Sequence, residues 1–106
     1  MSATLAKVKA LAVEGEAVIS EHAYMRLAEY DIKAVDVISG VAAAEALEDY
    51  PDFQKGPSVL VLQADTRGNL LHVVWGIRRG TTSPAVALTA YRPDPELWSD
   101  DLRRRK

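Results

Sequence analysis

Two histidines and a few arginines are the residues of this chain best suited to moving protons and holding a phosphate. Histidine is the side chain whose ordinary pKa lies nearest neutrality, so it can both give and take a proton there. In the stretch SEHAYMRLAEYDI, His22 and Arg26 stand four residues apart, which on a helix places them side by side. His72 lies within LLHVVWGI, and Arg92 closes the stretch PAVALTAYR. Two imidazoles and a guanidinium suit one reaction in particular, the metal-independent cleavage of a phosphodiester. One imidazole deprotonates an RNA 2′-hydroxyl, the other protonates the leaving oxygen, and Arg26 or Arg92 offsets charge on the phosphoryl oxygens. His22, near a helix N-terminus, favours its neutral form there and is the better base. Arg78 shares the strand face of His72 and is, with Arg92, a candidate phosphate or substrate contact. The plainer reading of the same residues is a hydrogen-bonded, half-buried His72 and a solvated helix face of His22, Arg26 and Glu29.

Helices in the first half and strands in the second must position these groups. Leu5, Val8, Leu11 and Ala12 recur at helical spacing between Ala3 and Val13, and Gly15 ends that helix. Val18 and Ile19 suggest a short extended piece. Ser20 is a favoured N-cap for a helix starting at Glu21, in which Ala23, Leu27 and Tyr30 form the apolar side. Asp31 is a plausible cap for a third helix carrying Ala34, Val37, Ile38 and Val41, with Gly40 marking its end. Residues 44–50 read as a first strand closed by Pro51, Asp52, Gly56 and Pro57. SVLVLQA (58–64) and LLHVVWGI (70–77) pair around a hairpin loop, and PAVALTAYR (84–92) adds another strand. Strict alternation puts Leu71, Val73, Trp75 and Ile77 on one face of their strand and His72 on the other. The same rule groups Tyr91 with Ala85, Ala87 and Thr89. Pro93 and Pro95 stop the last strand, Trp98 packs back on the body, and the basic run Arg103 to Lys106 reads as a solvated, frayed tail. The expected architecture is α+β: one domain over 1–106, with N-terminal helices over 3–41 packed on a small antiparallel sheet of three to four strands over 44–92, and a tail over 93–106.

Composition narrows the function classes. The chain has no cysteine, which removes disulfides, thiolate metal sites and cysteine nucleophiles. Two histidines with no second ligand at metal spacing give no metal site, and no glycine-rich fingerprint asks for a nucleotide cofactor, so none is expected. With a formal net charge of −2 the surface is not broadly basic. No apolar run reaches membrane-spanning length and the N-terminus lacks the pattern of a signal peptide, which points to a soluble cytoplasmic protein without membrane association.

Taken in order, His22-Ala23-x-x-Arg26, Ile32, Asp36-Val37, Tyr50-Pro51, Gly56-Pro57-Ser58, Leu60-Val61-Leu62, Leu71-His72-Val73-Val74 and Thr89-Ala90-Tyr91-Arg92-Pro93 with Trp98 resemble a bacterial family of small domains of unknown function. That family is similar in fold to RelE-type toxins and barnase-like ribonucleases. The resemblance implies a site assembled from the His22 helix and the sheet face bearing His72. It adds Tyr91 to His22, Arg26 and His72 as a candidate catalytic residue, and implies RNA as substrate and an antitoxin or other protein as partner. Two function classes follow: a metal-independent, toxin-like endoribonuclease, and a non-catalytic protein-binding module or degenerate toxin relative. A small-ligand pocket between helices and sheet, with the histidines as hydrogen-bonding groups, is a third.

Overall fold

The computed structural model describes residues 2–106. Helix α1 (Ala3–Val13) starts at Ser2, whose hydroxyl accepts the Leu5 amide at 3.1 Å and donates to the Asp49 carboxylate at 3.0 Å. The chain then forms a three-residue strand, β1 (Ala17–Ile19), and passes into α2 (Glu21–Glu29), capped as expected by Ser20 through the Ala23 amide at 3.0 Å. The third helix, α3 (Ala34–Gly40), begins later than the sequence suggests. Asp31 has a φ of 55° and reverses the chain, a left-handed geometry that aspartate tolerates, and Lys33 occupies the cap position without a side-chain bond.

Four longer strands follow: β2 (Glu45–Tyr50), β3 (Ser58–Ala64), β4 (Leu70–Ile77) and β5 (Ala85–Tyr91). They form a five-stranded sheet in the order β1-β5-β4-β3-β2. The expected count of three to four strands is therefore too low, and the sheet is mixed, because β1 pairs with β5 in parallel while the other pairs are antiparallel. Three residues are too few to show a two-residue period, so β1 is recognisable only once its partner is known.

The helices cover one face of the sheet. Val59, Val61, Leu71, Val73, Trp75, Ile77, Ala85, Ala87 and Ala90 point inward and meet Leu5, Val8, Leu27, Val37 and Val41. Each fully buried aliphatic side chain contributes about 1.5–3 kcal/mol. One polar residue sits among them. Gln63 donates to the Val37 carbonyl at 2.8 Å and accepts the Trp75 indole N–H at 3.1 Å, so it ties α3 to the sheet. Replacing it by leucine orphans a buried donor and a buried acceptor. We expect Gln63→Leu to lower unfolding stability by about 2–3 kcal/mol, read from a urea transition; an unchanged midpoint would show that the bridge contributes nothing.

The outer face carries no helix. Beyond β5 the chain turns at Pro93 to Pro95 and folds back, burying Trp98 to 4% exposure. Arg103 then reaches Glu45 of β2 with two bonds of 2.7 and 3.0 Å, and Arg105 reaches Glu48 with bonds of 2.7 and 2.9 Å. The tail is thus a strap across the outer face and not a frayed end. Its arginines find paired carboxylates on β2 that no local pattern announces. No described helix is long and apolar enough to cross a membrane.

Candidate active site beneath the C-terminal strap

The residues that meet on the outer face come from three strands. Register places His72 of β4 opposite Tyr91 of β5 and opposite Leu62 of β3, while Glu48 of β2 lies opposite Leu60 of β3. Glu48 and His72 thus share a face two strands apart and two residues out of line along β3, about 12 Å between backbones at ordinary strand spacing and rise. The strap fills the gap between them.

His72 has no solvent exposure. Its Nε2 lies 2.8 Å from the Leu102 carbonyl, which can only accept, so Nε2 carries the proton and Nδ1 accepts from the Tyr91 hydroxyl at 3.2 Å. The ring packs edge-on against Tyr91, with centroids 5.3 Å apart, and against Trp98 at 4.4 Å. Burial pushes the imidazole pKa below its ordinary value, opposed by the Leu102 bond and the Glu48 charge. The Arg105 hydrogen bond holds Glu48 below the ordinary carboxylate range, so it is ionised near neutrality. Burial raises Tyr91, and the bond donated to Glu48 raises Tyr50, keeping both phenols protonated. Arg105 also lies over the Trp98 ring at 4.8 Å.

These shifts predict an acid-sensitive strap. A histidine whose folded pKa is depressed adds stability above its ordinary value, about 6.5, and that stability is lost as pH falls through the folded value. The Glu48 pair is lost as pH falls below the ordinary carboxylate range, because its carboxylate must be protonated. NMR titration is expected to show His72 titrating below the ordinary histidine value of about 6.5; a midpoint above that value would contradict the burial argument.

The six sequence-derived candidates do not form one site. His72 and Tyr91 are together, and a bulge brings this about. Val74 pairs with Thr89 but Trp75 pairs with Ala87, so Leu88 is an extra residue that moves Thr89 and Tyr91 to the face opposite Ala85 and Ala87. Strict alternation therefore places Tyr91 on the wrong face. His22 is exposed on α2 and has no side-chain hydrogen bond among the described residues, so the expected shared hollow of two imidazoles is not formed. Arg26 bonds Glu29 at 3.0 Å and the Tyr30 hydroxyl at 3.2 Å. Arg92 is held by the Asp65 carboxylate at 2.7 Å and the Leu70 carbonyl at 2.9 Å, and borders with Tyr30 and Lys33 a polar cleft of about 390 Å³. Arg78 lines a separate apolar groove at the far end of the outer face.

Glu48 and Tyr50 are absent from the candidates that residue types suggest. Glu45 and Glu48 have opposite parity along β2, and only the register shift between Ala46 and Glu48 puts both on the strap side.

A helix-backed sheet with a carboxylate, an imidazole and a phenol on its other face defines an α+β domain with a sheet-borne polar site. The chain belongs to the family called domain of unknown function DUF4258, whose model matches residues 19–92. That span includes Glu48, His72 and Tyr91, and ends before the strap. No curated protein and no solved structure matches the chain significantly.

Proposed function

We propose that the chain is a metal-independent ribonuclease of the RelE-type and barnase-like kind, with Glu48 as general base and His72 as general acid. The observation that carries this reading is the placement of an ionised carboxylate and an imidazole on one sheet face, two strands apart, covered by the strap. When the strap lifts, Leu102 releases Nε2 of His72 and Arg105 releases Glu48. The imidazole then regains water and its ordinary pKa, so a protonated fraction is present near neutrality.

In the reaction, Glu48 takes the proton of an RNA 2′-hydroxyl and that oxygen attacks phosphorus. The bond from phosphorus to the 5′-oxygen breaks, and the imidazolium gives its Nε2 proton to that oxygen. The products are a 2′,3′-cyclic phosphate and a 5′-hydroxyl. Tyr91 is a positioning residue that fixes the ring through Nδ1.

The reading is tested by opening the strap. Trp98→Ala removes its buried anchor, and Arg103→Glu sets two like charges against each other at Glu45. Both are expected to cleave RNA in the presence of EDTA at least about tenfold faster than the parent chain, and His72→Ala in either background to lose about 100-fold or more. Intact RNA with both opened variants, folded by circular dichroism, would overturn it. A non-catalytic binding role is the second reading, favoured by the fact that both His72 nitrogens are already hydrogen-bonded.

A further inference from the structure

The strap covers only one half of the outer face. The other half is an open groove of about 280 Å³ lined by Phe53, Pro57, Gly76, Val86 and Leu88, with Lys55 and Arg78 at its rim. Phe53 is 49% exposed and Leu88 38% exposed, and Val18, paired with Val86 across β1 and β5, extends the apolar surface at 45% exposure. Large side chains left in water at adjoining positions of one face mark a surface that another molecule covers.

Charge selects the molecule. The groove lining contains two cations and no acidic residue, in a chain whose net charge is −2. Neither Lys55 nor Arg78 makes an ion pair among the described residues. The lining is mainly aliphatic, with Phe53 its one aromatic ring, whereas binding of single-stranded RNA relies on several stacking platforms. Gly76 forms part of the floor, and a Cβ there would come within 2.9 Å of the Leu88 side chain, which would have to turn aside to admit it.

We propose that this groove docks an acidic segment of a partner protein that inserts bulky aliphatic side chains against Val86, Leu88 and Phe53 while its carboxylates meet Lys55 and Arg78. The apolar contacts hold the segment, and the cations orient it and exclude basic sequences. The inference is independent of the ribonuclease reading, since none of these residues belongs to the Glu48 and His72 set.

The test uses the full chain and two short synthetic peptides in which leucine and phenylalanine alternate with aspartate and glutamate, or with lysine. The acidic peptide is expected to bind, shifting the amide signals of Gly56, Gly76 and Val86 while leaving His72 unmoved. Leu88→Lys abolishes that binding, and Lys55→Glu with Arg78→Glu weakens it at least about tenfold; both variants change exposed side chains and leave the fold intact. No binding of the acidic peptide, equal binding of the lysine peptide, or the same amide shifts produced instead by an oligouridylate would overturn the proposal. Loss of RNA cleavage in the strap-opened variants would leave it untouched.

Discussion

Gly56→Ala is expected to remove about 3–5 kcal/mol of stability, the sum of left-handed backbone strain and overpacking against groups that cannot give way. Gly56 has a φ of 134°, where side chains are rarely found, and a Cβ there would lie 2.1 Å from the Ile77 carbonyl oxygen and 2.6 Å from the Arg79 amide nitrogen. Both are backbone atoms fixed by the ladder, since the Ile77 amide donates to the Pro57 carbonyl at 3.1 Å and the Arg79 amide to the Lys55 carbonyl at 2.9 Å. A small domain is stable by roughly 5–15 kcal/mol, so this one methyl group takes a large share. The consequence reaches both proposed sites, because the 51–57 loop joins the strand of Glu48 to β3 and walls the apolar groove. A urea transition gives the answer directly. An unchanged midpoint would mean that the close backbone approach does not exist.

The second large effect is chemical. In the Trp98→Ala background, Glu48→Gln is expected to slow RNA cleavage by about 100-fold or more, within the ordinary range for loss of a general base. Glutamine keeps the shape of the side chain and can still bond Tyr50, but cannot take a proton at neutral pH. The pH dependence separates this from a structural effect. With Glu48 ionised and His72 protonated, kcat/KM rises as pH climbs through the Glu48 pKa and falls as pH climbs through that of His72. Glu48→Gln removes the rising limb and leaves the falling one. A uniformly lowered profile with both limbs intact would mean that Glu48 supports the site without taking the proton.

The sequence carried most of the strand plan because β3 and β4 are buried on both faces and read as continuous apolar runs bounded by turn residues. Ser20 was legible as a cap for the same reason that it works, a hydroxyl placed just before a helix. The candidate site was less legible. His72 stood out as a polar residue on an apolar strand face, yet its true neighbours depend on the Leu88 bulge and on register across β2, which a two-residue period cannot report. Glu48 looked like one of many exposed carboxylates. It gains significance only because Arg105, 57 residues away, folds onto it. His22 and Arg26 were the most conspicuous pair in the chain, and their helix holds them on its solvent side, where Arg26 turns to Glu29 and Tyr30.

The most direct measurement is the identity of the RNA ends made by Trp98→Ala in EDTA. A metal-independent acid–base site at Glu48 and His72 leaves 2′,3′-cyclic phosphates facing 5′-hydroxyls, and these ends vanish when His72→Ala is added. Full-length RNA after prolonged incubation with the folded Trp98→Ala protein, or ends that persist unchanged without the His72 imidazole, would contradict the assignment of this sheet face as a catalytic site.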